Sequence, residues 1–182
     1  MKPARVLYVN NSADVYGASR CLVRLLGRLD RERYQPMVIL PSEGPLEAQL
    51  RAVDAPIFFE QGLPVVTRGV FGSWRLGAFV LRLPSSVARL RRFIRRERID
   101  LVHTNTGVIV PSAMAAKLAG VAHIWHVRDW FQEFRVAWKP YSFYMRTCSD
   151  RIVTVSEAMA RQFDDRRNVE VIHDGFSMAE FD

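Results

Sequence analysis

Residues 6–29 read VLYVNNSADVYGASRCLVRLLGRL, and the change of rhythm inside this stretch decides the fold class. Val6–Val9 is a short apolar run, long enough for a strand and too short for a helix. Past the polar loop that begins at Asn10, Ala18, Leu22, Leu25, Leu26 and Leu29 fall at i, i+4, i+7, i+8 and i+11, the spacing of one helix face. Arg20, Arg24 and Arg28 line another face of the same helix. A strand, a loop holding Gly17 and an amphipathic helix together make one β–α unit.

Working outward, the strand motif recurs. Met37–Leu40, Ile57–Phe59, Leu101–His103, Ile124–Val127, Ile152–Val155 and Val169–Ile172 are short apolar runs, most of them continuous and β-branched. Strands with one wet face alternate polar with apolar residues, so continuous runs predict strands covered on both faces, as in a parallel sheet. Helical patterns at Leu46–Val53, Val110–Ala119, Tyr141–Cys148 and Glu157–Phe163 lie between them. Alternation of this kind predicts a Rossmann-like, doubly wound α/β fold: a mostly parallel sheet of about seven strands, helices on both faces and right-handed crossovers. Gly62, Pro64, Gly69, Gly72 and Gly77 punctuate the least regular segment, which predicts a loop and then a short helix around Trp74–Leu83. Pro84 is expected to end that helix, with Ser85 or Ser86 capping another that runs to about Arg98.

The 182 residues suffice for a single domain, and 49% hydrophobic with 25% charged residues excludes a disordered or collagen-like chain. The net charge of +7 comes from arginine, because only Lys2, Lys117 and Lys139 are lysines. Arginine carries a planar fork of donors suited to phosphate and carboxylate. Cys21 and Cys148 cannot build a disulfide framework, and no Cys/His spacing points to zinc. The longest uncharged stretch, Leu101–Ala116, contains His103, Asn105 and Pro111, so no membrane-spanning helix is expected. No signal-peptide core precedes Asn10, and a cytoplasmic protein is the expectation.

In an open parallel sheet, ligands bind beyond the carboxyl ends of the strands. Five ends here are polar: Asn10-Asn11-Ser12, His103-Thr104-Asn105-Thr106-Gly107, His126-Val127-Arg128-Asp129, Ser156-Glu157 and His173-Asp174-Gly175. Turns are polar anyway, but five such clusters on one border favour a polar ligand site. Gly17 at a helix start lets backbone N–H groups approach an anion, yet the loop has neither G-x-G-x-x-G nor G-x-x-x-x-G-K-[ST], which disfavours a dinucleotide site and a P-loop. His123 and His126 are three apart on a strand, so they point to opposite faces and cannot share a metal. His126 lies beside Arg128 and Asp129, where a carboxylate can orient an imidazole against a hydroxyl. From Arg82 to Arg98 the chain carries seven Arg and one Glu. Arg89, Arg92 and Arg96 share a helix face there, which fits either a solvated helix or a surface for anionic lipid headgroups. Trp125, Trp130, Phe131, Phe134 and Trp138 either cover the border or pack beneath a loop. Nucleic acid is not expected, since no aromatics interleave with these arginines.

With these motifs in hand, the chain resembles the N-terminal half of a family-4 (group 1) glycosyltransferase of the GT-B fold. Tyr16-Gly17-Ala18-Ser19-Arg20-Cys21-Leu22 is similar to that family's glycine-rich turn into its first helix, with Ser19 where an acidic residue is usual. Asp100-Leu101-Val102-His103-Thr104-Asn105 resembles its D-x-V-H strand, and His126-Val127-Arg128-Asp129 the strand bearing its active-site histidine. Ile152-Val153-Thr154-Val155-Ser156-Glu157 looks like its V-x-V-S-E strand. Val171-Ile172-His173-Asp174-Gly175-Phe176 looks like the segment before its interdomain crossover, with Asp174 in place of the usual Asn.

The resemblance implies transfer of a sugar from a nucleotide-sugar cosubstrate to a sugar, lipid-linked or small-molecule acceptor, with retained configuration and with no cofactor or metal required. Residues 1–182 would form the acceptor-side domain, and the C-terminal nucleotide-sugar-binding domain would be missing from this chain, leaving it inactive or nearly so alone. His126, with Asp129, would act at the sugar, and Gly17, Ala18 and Ser19 would meet the donor diphosphate. Asn11, His103, Asn105, Arg128, Ser156 and Glu157 would bind substrate; separately, the basic helix face of Arg89, Arg92 and Arg96 is expected to contact the inner face of the cytoplasmic membrane. The alternative expectation is a non-catalytic α/β module that binds an anionic ligand or a protein partner along the same border.

Overall fold

In the computed structural model, which describes residues 2–66, 75–131 and 135–175, all seven strands form one parallel sheet. They are β1 (Ala4–Val9), β2 (Tyr34–Leu40), β3 (Ile57–Phe59), β4 (Leu101–Thr104), β5 (Ala122–Val127), β6 (Arg151–Thr154) and β7 (Val169–Val171). Their order is β3-β2-β1-β4-β5-β6-β7, so the winding reverses between β1 and β4. Register runs Val6 opposite Leu101 and Tyr8 opposite His103, then His103 opposite Ile124 and His126 opposite Val153.

The continuous apolar runs are explained by helices on both faces. On one face Val6, Tyr8, Val38 and Leu40 pack under α1 (Gly17–Gly27) and α2 (Leu46–Ala52), which supply Leu22, Leu26, Leu46 and Leu50. On the other, Leu7, Val9, Met37 and Ile39 meet Val87, Leu90 and Ile94 of α3 (Arg75–Arg96) and Ala115 and Ala116 of α4 (Pro111–Ala119). Farther along that face, Trp125, Val127 and Ile152 pack on Trp138, Met145 and Cys148 of α5 (Arg135–Cys148), joined by Phe163. A short α6 (Glu157–Ala160) leads toward β7. Fully burying a side chain of the Leu class contributes roughly 1.5–3 kcal/mol, so these layers dominate the stability of the sheet. Gly120 closes α4 at φ 76°, a left-handed position at which a side chain would be strained.

Two helix expectations are corrected. Pro84 does not end a helix: α3 runs through it from Arg75 to Arg96. The ring removes one bond, to the carbonyl of Val80, a residue that is exposed and not packed into the core. Likewise α5 begins at Arg135 and runs through Pro140, where the expected helix began only at Tyr141. The expectations for Gly69, Gly72, Trp74, Phe134 and Phe176 lie outside the described residues. Among the described residues no helix is long and apolar enough to cross a membrane.

Candidate functional site

At the reversal point between β1 and β4, the strand exits are tied together by amides. Asn105 Nδ2 donates to Asn10 Oδ1 at 2.8 Å and to the Ala18 carbonyl at 3.0 Å. Asn10 Nδ2 in turn donates to Ser19 Oγ at 3.0 Å and to the Ser12 carbonyl at 2.7 Å. Asn10 and Asn105 are fully buried, and these acceptors fix which way each amide points. Asn105 Oδ1 is left enclosed without a partner. The network docks the first turn of α1 onto the sheet, and it turns the Ser19 hydroxyl inward, so only the Ser19 backbone remains for a ligand.

Gly17 opens α1 after an extended Tyr16, and no side chain caps the helix. Its first N–H groups therefore lack intrahelical partners and carry the positive end of the helix dipole. Apart from its chain neighbours and the helix backbone, no atom of the described residues lies within 4 Å of where a Gly17 Cβ would stand, so packing among them does not demand glycine there. Asn11 lies in the same loop, half-buried.

The histidines form a second cluster. His103 packs on Tyr8, with ring centroids 5.0 Å apart, and on His126, at 5.5 Å. Arg128 points a guanidinium nitrogen, Nη2, at His126 Nδ1, 3.4 Å away, and donates through Nη1 to the Asp174 carboxylate. Burial first, then the Arg128 charge, pushes His126 down to about 4, with Asp174 pulling partly the other way. Burial followed by the neighbouring His126 pushes His103 down to about 3. Both imidazoles are therefore neutral at physiological pH and act as hydrogen-bonding groups. His103 Nε2 and His126 Nε2 are enclosed with no partner. His126 opens onto a cleft of about 530 Å³ shared with Cys21, Arg24, Arg28, Arg128 and Asp174. A second cleft, of about 620 Å³, lies at the amino ends of the strands; its cation, Arg31, is spent on the carbonyls of Leu26 and Val53.

His123 faces the opposite side of β5, as its spacing from His126 predicts. Its Nε2 meets Thr104 Oγ1 at 2.8 Å and its Nδ1 meets Ser149 Oγ at 2.9 Å, a satisfied core histidine that burial pushes down to about 3.

Asp129 does not orient His126, contrary to expectation. Its Oδ2 accepts the Gly107 N–H at 2.7 Å, and its backbone carbonyl accepts from Gln162 Nε2 at 3.2 Å. The carboxylate staples the β5 exit to the β4 exit. Burial raises its pKa, opposed by the Gly107 bond and by Arg128. The polar neighbour of His126 is instead Arg128, paired with Asp174, a residue that the sequence put on the polar border without a role. That partnership joins residues 46 apart, and its one visible sign was the unusual Asp at position 174.

Of the aromatics, Trp125, Phe131 and Trp138 are buried beneath the loops, while Trp130 is exposed at the border. Trp125 Nε1 donates to the Thr106 carbonyl at 2.7 Å and Trp138 Nε1 to the Gln162 carbonyl at 2.7 Å, which holds both loops. Ser156 is committed as the cap of α6, accepting from the Met159 N–H at 3.2 Å. Glu157 is exposed and paired with Arg166 at 3.0 Å. Arg89 is paired with Glu60 and Arg96 with Glu97, whereas Arg92 is exposed and forms no ion pair among the described residues. Among the described residues no group of three or more His, Cys, Asp or Glu converges to hold a metal.

Comparison with known proteins places these features in context. The family model Glycosyltransferase Family 4 matches residues 15–180. No curated protein sequence matches the chain. Among solved structures, HepE of Anabaena in complex with UDP and glucose superposes at a TM-score of 0.74, with 19% identity over 97% of this chain and 46% of that one. A glycosyltransferase from Rickettsia africae superposes at 0.69, with 17% identity over 100% and 46%. MurG of Acinetobacter baumannii superposes at 0.65, with 13% identity over 98% and 47%. The chain spans about half the length of these structures and corresponds to one half of their GT-B fold.

Proposed function

The chain belongs to glycosyltransferase family 4, and from that premise we propose that it is the acceptor-side domain of a retaining transferase that takes its sugar from a nucleotide-sugar donor. One observation carries the proposal: α1 and the exits of β5 and β7 enclose a single cleft in which a neutral His126 stands beside Arg128 and Asp174. Gly17, Ala18 and Ser19 offer backbone N–H groups to the donor diphosphate from the uncapped start of that same helix. The enclosed, unpartnered Asn105 Oδ1 and His126 Nε2 on the same border lend support, because such groups are costly unless something satisfies them. That HepE is described in complex with UDP and glucose supports a nucleotide sugar as cosubstrate. No residue is given a metal-binding role.

His126 is proposed to touch the transferred sugar, with Arg128 and His103 around it, and the acceptor is a sugar, a lipid-linked or a small molecule. Chemistry requires a second lobe over the border, and the 182 residues alone are proposed to turn over negligibly. The protein is further proposed to work at the cytoplasmic face of the membrane, touching anionic lipid through α3. The test is His126→Ala in the two-lobed protein, with sugar transfer and thermal unfolding measured together. Turnover should fall by at least about 10²-fold, the usual scale for losing one positioned catalytic contact, with the melting temperature little changed. Unchanged turnover would take His126 out of the reaction and favour a binding module.

A further inference from the structure

A single imidazole proton can sit on either ring nitrogen, and the neighbours of His126 decide which. A guanidinium has five N–H donors, no acceptor and a permanent charge. Arg128 Nη2 lies 3.4 Å from His126 Nδ1, so that nitrogen meets a donor and must offer a lone pair. The guanidinium is not free to turn away. Its side chain is only 12% exposed, and Nη1 is engaged by the Asp174 carboxylate. An uncompensated arginine charge at that burial is costly, so the carboxylate at 174 keeps Arg128 in place as well as aligned. Cys21, across the cleft, shares this field: burial raises its thiol, Arg128 opposes that, and Asp174 raises it again, so the net shift is upward.

We propose that Arg128, aligned by Asp174, is a positioning residue that confines the His126 proton to Nε2, so that the enclosed ring nitrogen is a hydrogen-bond donor and the group meeting it is an acceptor oxygen. For catalysis this matters only if His126 meets the sugar, as proposed above. In that case His126 donates to a sugar hydroxyl or ring oxygen and does not serve as a base through Nε2. Asp174 then becomes the carboxylate to which the site's geometry answers, in place of Asp129.

The test is nitrogen NMR of the 182-residue chain labelled at histidine, which reads the protonation of each ring nitrogen directly. Wild type at neutral pH should show His126 as one tautomer, with Nδ1 bare and Nε2 protonated. Arg128→Met should lose that single-tautomer pattern, and the milder Asp174→Asn should shift part of the population toward the Nδ1–H form. His123, held apart by Thr104 and Ser149, is the fold control in the same spectra and should not move. A proton on Nδ1 in wild type overturns the proposal whatever the variants do. So does an unmoved His126 pattern in both variants with His123 intact. Transfer measurements are separate: a His126→Ala protein with full turnover would remove the catalytic role and leave the tautomer assignment standing.

Discussion

Gly107 illustrates how one residue can be held by partners far along the chain. Its N–H is taken by Asp129, and its carbonyl accepts the Tyr141 hydroxyl at 2.6 Å. A Cβ there would stand 2.7 and 3.0 Å from the Phe131 ring and 3.1 Å from Asp129 Oδ2. Phe131 cannot yield easily, since it stacks on Trp138 with centroids 5.1 Å apart and planes 4° from parallel. Gly107→Ala should therefore destabilise the fold by roughly 1–3 kcal/mol, the usual cost of overpacking. Denaturant unfolding reads this as a lower midpoint at unchanged slope, and Phe131→Leu in the same chain should recover part of the loss. A wild-type midpoint would mean the loop simply shifts. At this scale the sequence is only half legible. That His103, Asn105, Gly107 and His126 stand on one border follows from their places at strand ends. That Asp129 serves Gly107 while Asp174 serves Arg128 does not, because both pairings bridge separate strands.

At the scale of the element, the strands were readable and two helices were not. Continuous runs such as Val6–Val9 and Ile124–Val127 reflect burial on both faces, and their shortness separates them from helices. Pro84 does not end its helix because a helix loses only one bond at proline and can continue past it. The continuous α3 changes the argument about its arginines. Leu81, Pro84, Ala88, Arg92 and Arg95 are all exposed and spaced to share one stripe, apolar toward the sheet's carboxyl border and basic toward its other end. Arg89 and Arg96 are already paired with Glu60 and Glu97. Sedimentation with vesicles containing anionic lipid should therefore respond most to Arg92→Ala with Arg95→Ala, at about 1 kcal/mol or fivefold per arginine. Arg89→Ala with Arg96→Ala should have the smaller effect. Binding that is indifferent to anionic lipid content would end the membrane proposal.

At the scale of the whole molecule, the candidate border is assembled from four exits: β1 supplies Asn10, β4 His103 and Asn105, β5 His126 and Arg128, and β7 Asp174. No two of these exits are joined by a short loop, so their juxtaposition exists only when the sheet closes as a unit. The parallel order was legible from the alternation of strands and helices. The cleft below the border was not, because Cys21, Arg24 and Arg28 reach it from a helix face that the pattern marks only as polar. Among the described residues no second lobe faces this border. Holding donor and acceptor together with water excluded is worth about 7–11 kcal/mol of barrier, and a surface open on one side supplies almost none of it. The proposed function therefore predicts that residues 1–182 alone, given nucleotide sugar and acceptor, turn over at least about 10⁵-fold more slowly than the same residues joined to a nucleotide-binding lobe. Weak acceptor binding should persist in the single domain. Comparable rates for the two proteins would show that this border carries out transfer without a companion lobe, and the division of labour proposed between the halves would fail.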